Sequence, residues 1–168
     1  MSYPAWPSST GFKVCDNNRL ILWYYLSGGD CRVSTSDDWG ATWTTRQTFV
    51  ASGVSTRVLG AASPSGQKAF AYTVEHEVWW CQDYGVTWVQ FDNYPGADQE
   101  SGIAYDPADD ALYVISDDTT TSNVLLVSKM SPVAQDGVWV DFSDTLLPIG
   151  ADTHYHSVWS DQIAVIPR

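Results

Sequence analysis

Basic residues are scarce in this chain. Eight Lys and Arg stand against 20 Asp and Glu, a net charge of −12 over 168 residues. A surface so acidic repels phosphate backbones and anionic lipid, and no basic run relieves it, so the sequence predicts neither a nucleic-acid nor a membrane partner. Long apolar runs are also missing; none approaches the roughly 20 residues needed to span a bilayer. The opening "MSYPAWPSST" has neither a basic n-region nor an apolar h-region, which reads as no signal peptide. Cysteine is limited to Cys15, Cys31 and Cys81. Three thiols cannot all pair within one chain, and they form no CxxC pattern, so they read as small buried side chains, with a Cys15–Cys31 disulfide as the other option. No stretch keeps a helical period over eleven or more residues.

Aromatic residues, in contrast, are abundant: nine Trp and nine Tyr. Such rings suit pleated, half-buried surfaces and point to an all-β fold. Apolar runs alternate with short turns rich in Asp, Asn, Ser, Pro and Gly, a hairpin signature repeated along the chain. Strands are expected at 11–15, 19–26, 31–36 and 42–49; at 56–62, 68–74, 77–82 and 87–91; at 101–105, 111–116, 123–130 and 138–143; and at 155–159 and 162–166. The stretch 116–123 reads as a polar loop and 1–10 as an N-terminal arm.

The segments "STSDDWGATW" and "CQDYGVTW" share a pattern. Ser36, Asp38, Gly40, Thr42 and Trp43 recur 45 residues later as Cys81, Asp83, Gly85, Thr87 and Trp88. "AQDGVW", with Asp136, Gly137 and Trp139, is a decayed third copy. Here an aspartate can accept backbone N–H bonds, a glycine can take positive φ, Ser and Thr hydroxyls can close the remaining bonds, and Trp can start the outer strand. Four antiparallel strands every 40 to 50 residues form the unit of a β-propeller blade, so three and a half blades are expected, at 11–49, 56–91, 101–143 and, in part, 155–166. Closed propellers carry more blades than this, so the sequence predicts completion by self-association or by a protein partner.

The motif resembles the Asp-box, or bacterial neuraminidase repeat, of sialidase-like β-propellers. The resemblance implies a blade-rim position for the motif, away from the central-axis site. It also implies, for an enzyme of that family, three clamping arginines, a Tyr–Glu nucleophile pair and an acid/base Asp. The chain offers Arg19, Arg32, Arg46, Arg57 and Arg168 without the "RIP"-like motif of the first clamp residue; Arg32 and Arg46 are expected to point outward or along a blade edge. Tyr72 lies near Glu75 and Glu77, but that stretch reads as a solvated hairpin bend. The leading expectation is therefore a non-catalytic structural or recognition module in a multi-subunit assembly, with a soluble glycan-binding lectin and a glycosidase fragment as alternatives. Low Lys content and a Trp, Tyr, Asp, Thr and Ser bias fit a virion or phage-tail component, with the cytoplasm as the other location.

Contact residues are expected among the clustered rings Trp23, Tyr25, Trp79 and Trp80, where one ring of each neighbouring pair packs between blades and the other is exposed. Trp39 and Tyr84, at the variable place of each repeat, are expected at exposed turn tips. His154 and His156 share a strand face but lack a third metal ligand, and the acidic stretches 106–110 and 116–118 read as ordinary turns. No cofactor or metal is implied.

Overall fold

Apolar runs separated by short polar turns become antiparallel strands in the computed structural model, which describes residues 8–26, 30–50, 58–73, 77–93, 99–118, 124–130 and 139–141. Among the described residues there are twelve strands and no helix, and therefore none long enough to cross a membrane. The chain divides into two units, Met1–Phe91 and Asp92–Arg168.

The first unit carries two sheets. β1 (Ser8–Val14), β2 (Leu20–Tyr25), β3 (Asp30–Ser36) and β4 (Thr44–Val50) pair in sequence order. β5 (Val58–Ala62), β6 (Ala69–Thr73), β7 (Glu77–Cys81) and β8 (Val89–Asn93) do the same. β1 begins at Ser8, so the last residues of the expected arm are in the sheet, paired to Tyr25 and Tyr24 across a bulge.

Period-two alternation assigns the faces. Gly11, Trp23 and Val33 are directly paired and share one face of the first sheet, with Ile21, Thr35, Cys31 and Phe49. This face meets the second sheet along Gly60, Ala71 and Trp79, which are paired with one another. A side chain at Gly60 would collide with the Trp23 indole, so the glycine is a notch for that ring. Trp23 packs edge-to-face on Trp88, with ring centroids 6.5 Å apart, and Phe49 on Trp88 at 5.8 Å. Burying rings of this size stabilises by roughly 2–3 kcal/mol each, so the seam between the sheets is the main source of stability in this unit.

The second unit carries β9 (Gln99–Asp106), β10 (Ala111–Asp118), β11 (Val124–Met130) and β12 (Trp139–Asp141), again paired in sequence order. Leu112, Val114, Ser128 and Met130 are fully buried on one face. The expected loop at 116–123 is shorter than read: Ser116, Asp117 and Asp118 pair with Leu126, Leu125 and Val124, because the backbone ladder continues regardless of side-chain polarity. The partial fourth blade, 155–166, lies outside the described residues.

Candidate functional site: two corners, a seam and an open face

The corner between β3 and β4 is closed by side chains. The Ser36 hydroxyl donates to Asp38 Oδ1 at 2.8 Å and accepts the Gly40 N–H at 2.8 Å. Asp38 accepts the Thr42 N–H at 2.8 Å and the Thr42 hydroxyl at 2.6 Å. Trp39 and Gly40 have φ of 59° and 88°, the two positive values of a type I′ turn, and Ala41 N–H donates to the Asp38 carbonyl at 3.3 Å. The Trp43 indole N–H donates to the Gly40 carbonyl at 3.0 Å.

The corner between β7 and β8 repeats every element. Cys81 Sγ donates to Asp83 Oδ1 at 2.8 Å and accepts the Gly85 N–H at 2.9 Å; Thr87 N–H donates to Asp83 at 2.7 Å, and Trp88 Nε1 to the Gly85 carbonyl at 2.9 Å. Tyr84 and Gly85 have φ of 63° and 83°. A thiol thus stands in for the hydroxyl. Hydrogen bonds from the Thr42 hydroxyl and N–H and from Ser36 hold Asp38 down at a pKa of about 2. Burial pushes Asp83 upward, but its bonds from Cys81 and Thr87 outweigh it and leave the carboxyl below its usual value. Burial, and then the Asp83 carboxylate, push Cys81 to about 11 and keep it a thiol.

In the third copy, Trp139 opens β12 opposite Met130. Asp136 and Gly137 lie outside the described residues.

The two motif tryptophans differ in setting. Trp88 is 7% exposed, inside the seam; Trp43 is 40% exposed. Register explains this. Leu20 pairs with Ser36, and Ala69 with Cys81, so the motif aligns Leu22 with Ala71 and Phe12 with Gly60. The small residues lie in the seam. Their large counterparts lie on the open face of the first sheet, where Phe12 is 57% exposed and Val14 also stands in solvent. Arg32 shares that face opposite Tyr24; its Nη2 donates to Asp30 at 3.1 Å, while its Nε is buried without a hydrogen-bond partner.

Several expected contact residues fall elsewhere. Trp23 is fully buried, so it is seam core and not a contact; alternation gave its face but not what covers that face. Tyr25 and Trp79 are half-buried against the same core, Trp79 on Phe49 at 5.2 Å, and Trp80 is half-buried on the opposite side of β7. Trp39 and Tyr84 stand out from the corners, 65% and 39% exposed.

The described arginines hold oxygens of their own chain. Arg46 is the extra residue of a bulge between β3 and β4, which turns it onto the Thr35 hydroxyl at 2.7 Å instead of outward. Arg57 and Arg168 lie outside the described residues, as do Glu75, His154 and His156. Tyr72 is buried, and Glu77 accepts the Trp79 indole N–H at 3.0 Å. In the 106–110 turn Asp106 accepts the Ala108 N–H at 2.9 Å, and Asp110 the Tyr105 hydroxyl at 2.7 Å. Among the described residues no group of three or more His, Cys, Asp or Glu is placed to hold a metal.

Arg19 is the residue that sequence reasoning missed. Its Nη2 donates to Asp37 at 2.9 Å, and its Nη1 to the Tyr84 carbonyl at 2.7 Å, with the guanidinium 5.8 Å from the Tyr84 ring. One side chain therefore ties the first corner to the second. The signal was present in the hairpin register: Leu20 opposite Ser36 puts Arg19 beside Asp37.

Four-stranded antiparallel sheets with such rim corners define a β-propeller-like fold. Among solved structures, an ancestral GH74 enzyme superposes with a TM-score of 0.59 at 18% identity, covering 80% of this chain and 20% of its own. The chain therefore spans about a fifth of that neighbour's length. No protein-family model matches the chain. Nor does any curated protein.

Proposed function

We propose that the chain is a non-catalytic structural module of the Asp-box type within a multi-subunit assembly, and that the open face of its first sheet receives a further four-stranded sheet. The exposed Trp43 carries this reading. Its counterpart Trp88 is buried because another sheet lies on it; Trp43 has the same bond to its corner glycine and is left in water. Phe12 and Val14 extend the apolar patch. Exposed faces of this kind mark interaction surfaces. The non-catalytic part is supported by the engagement of Arg19, Arg32 and Arg46 with separate oxygens of their own chain, which disperses them from any common clamp. The composition fits a virion or phage-tail particle as the setting.

Mass in solution tests the proposal. The full chain should form a species heavier than one copy by light scattering, or co-purify with a larger particle. A Phe12→Asp, Trp43→Ser double variant should remain folded and lose that association. A wild-type chain that stays monomeric and enters no particle refutes it.

A further inference from the structure

We propose that the rim formed by Trp39, Asp37, Arg19 and Tyr84 is a shallow binding site for neutral carbohydrate. Both aromatic rings occupy the first central position of a type I′ turn, where Asn, Asp or Gly is favoured and a bulky side chain is strained. The corner bonds run through Ser36 or Cys81, Asp, Gly and Thr and make no use of either ring; the Tyr84 ring carries the Arg19 guanidinium at 5.8 Å, and no such contact among the described residues accounts for Trp39. An aromatic residue nevertheless stands there in both copies, turned to solvent. Arg19 fixes the two corners to each other, so the rings are held on a rigid base.

The chemistry matches a sugar. An exposed indole offers an apolar plane for the C–H face of a pyranose. Asp37, two residues before Trp39 in the same corner, offers carboxylate acceptors to sugar hydroxyls from a side chain that is 59% exposed, while Arg19, 17% exposed, holds that carboxylate in place. Asp37 and the net charge of −12 disfavour an acidic sugar and favour a neutral one over it.

Calorimetric titration of the full chain with hexasaccharides of β-1,4-glucose, β-1,4-xylose and α-1,4-glucose, and with sialyllactose as an anionic comparator, tests the site. At least one neutral hexamer should saturate the protein below about 10 mM, a weak affinity suited to a shallow site. Trp39→Asn suits the turn and removes the ring, so it should keep the wild-type thermal midpoint and weaken binding about tenfold or more. Trp39→Phe should stay within about threefold of wild type. No saturation by any neutral hexamer, unchanged affinity in Trp39→Asn, or tighter binding of sialyllactose each overturns the site. So does a Trp39→Asn variant that loses self-association while no sugar binds, since the rim is then a protein contact.

Discussion

The buried Gly85 N–H donates to the Cys81 sulfur, while the equivalent Gly40 N–H donates to the Ser36 oxygen. A hydroxyl fits the same bonds, so Cys81→Ser should change unfolding free energy in urea by less than about 1 kcal/mol. Cys81→Ala leaves the buried N–H without its acceptor and should cost about 1–3 kcal/mol. Asp38 answers to pH. Its folded pKa of about 2 lies below the ordinary 3.8, so the stability it lends is fully present above about pH 4 and is lost as pH falls through 2. Thermal midpoints followed from pH 5 down to about 2 should therefore drop more steeply for wild type than for Asp38→Asn, which has no carboxylate to protonate. The sign for Asp83 is the same. The corners were the most legible feature of the sequence at this scale. Asp, Gly and Thr at fixed spacing have few other uses, and all their bonds close within eight residues of chain.

At the scale of the sheet, Trp23 and Gly60 form a lock. Gly60→Val should cost about 3 kcal/mol or more in urea unfolding, since the branched side chain must displace an indole already enclosed by Trp88 and Gly11. Gly11→Ala should cost less, since its added carbon would sit 3.2 Å from the Trp23 ring. Strands and hairpins were readable because alternation and turn residues are local signals; the all-β class and most strand positions follow from them. Trp23 could be placed only among rings of which one packs between blades, because period two sorts residues into two faces without saying which one a neighbouring sheet covers. Gly60 carried no signal at all: glycine within a strand reads as a weak point until its tertiary neighbour is known. The reach of β10 to Asp118 was hidden by polar side chains whose backbone groups still pair. The arginines show the same limit. Arg46 sits at a bulge and Arg19 across a seam, and both depend on contacts remote in sequence.

For the whole molecule, charge and apolar surface act against each other. Copies carrying −12 repel, while the association proposed above draws on the exposed apolar face around Phe12, Val14 and Trp43. Salt shortens the reach of the repulsion, to about 10 Å at 0.1 M, and leaves apolar burial intact. Self-association should therefore strengthen between about 0.02 M and 0.3 M sodium chloride in sedimentation or light scattering. Association that weakens with salt would instead place charge pairs at its centre.

The Gly60 notch also bears on how such a chain can change over generations. Its two neighbouring sheets follow one plan but are not spare copies of each other: an unequal crossover that replaced the second with a duplicate of the first would set Phe12 and Leu22 against the Trp23 ring, where only Gly60 and Ala71 leave room. The two sheets are thus matched in shape, and neither can stand in for the other at the seam.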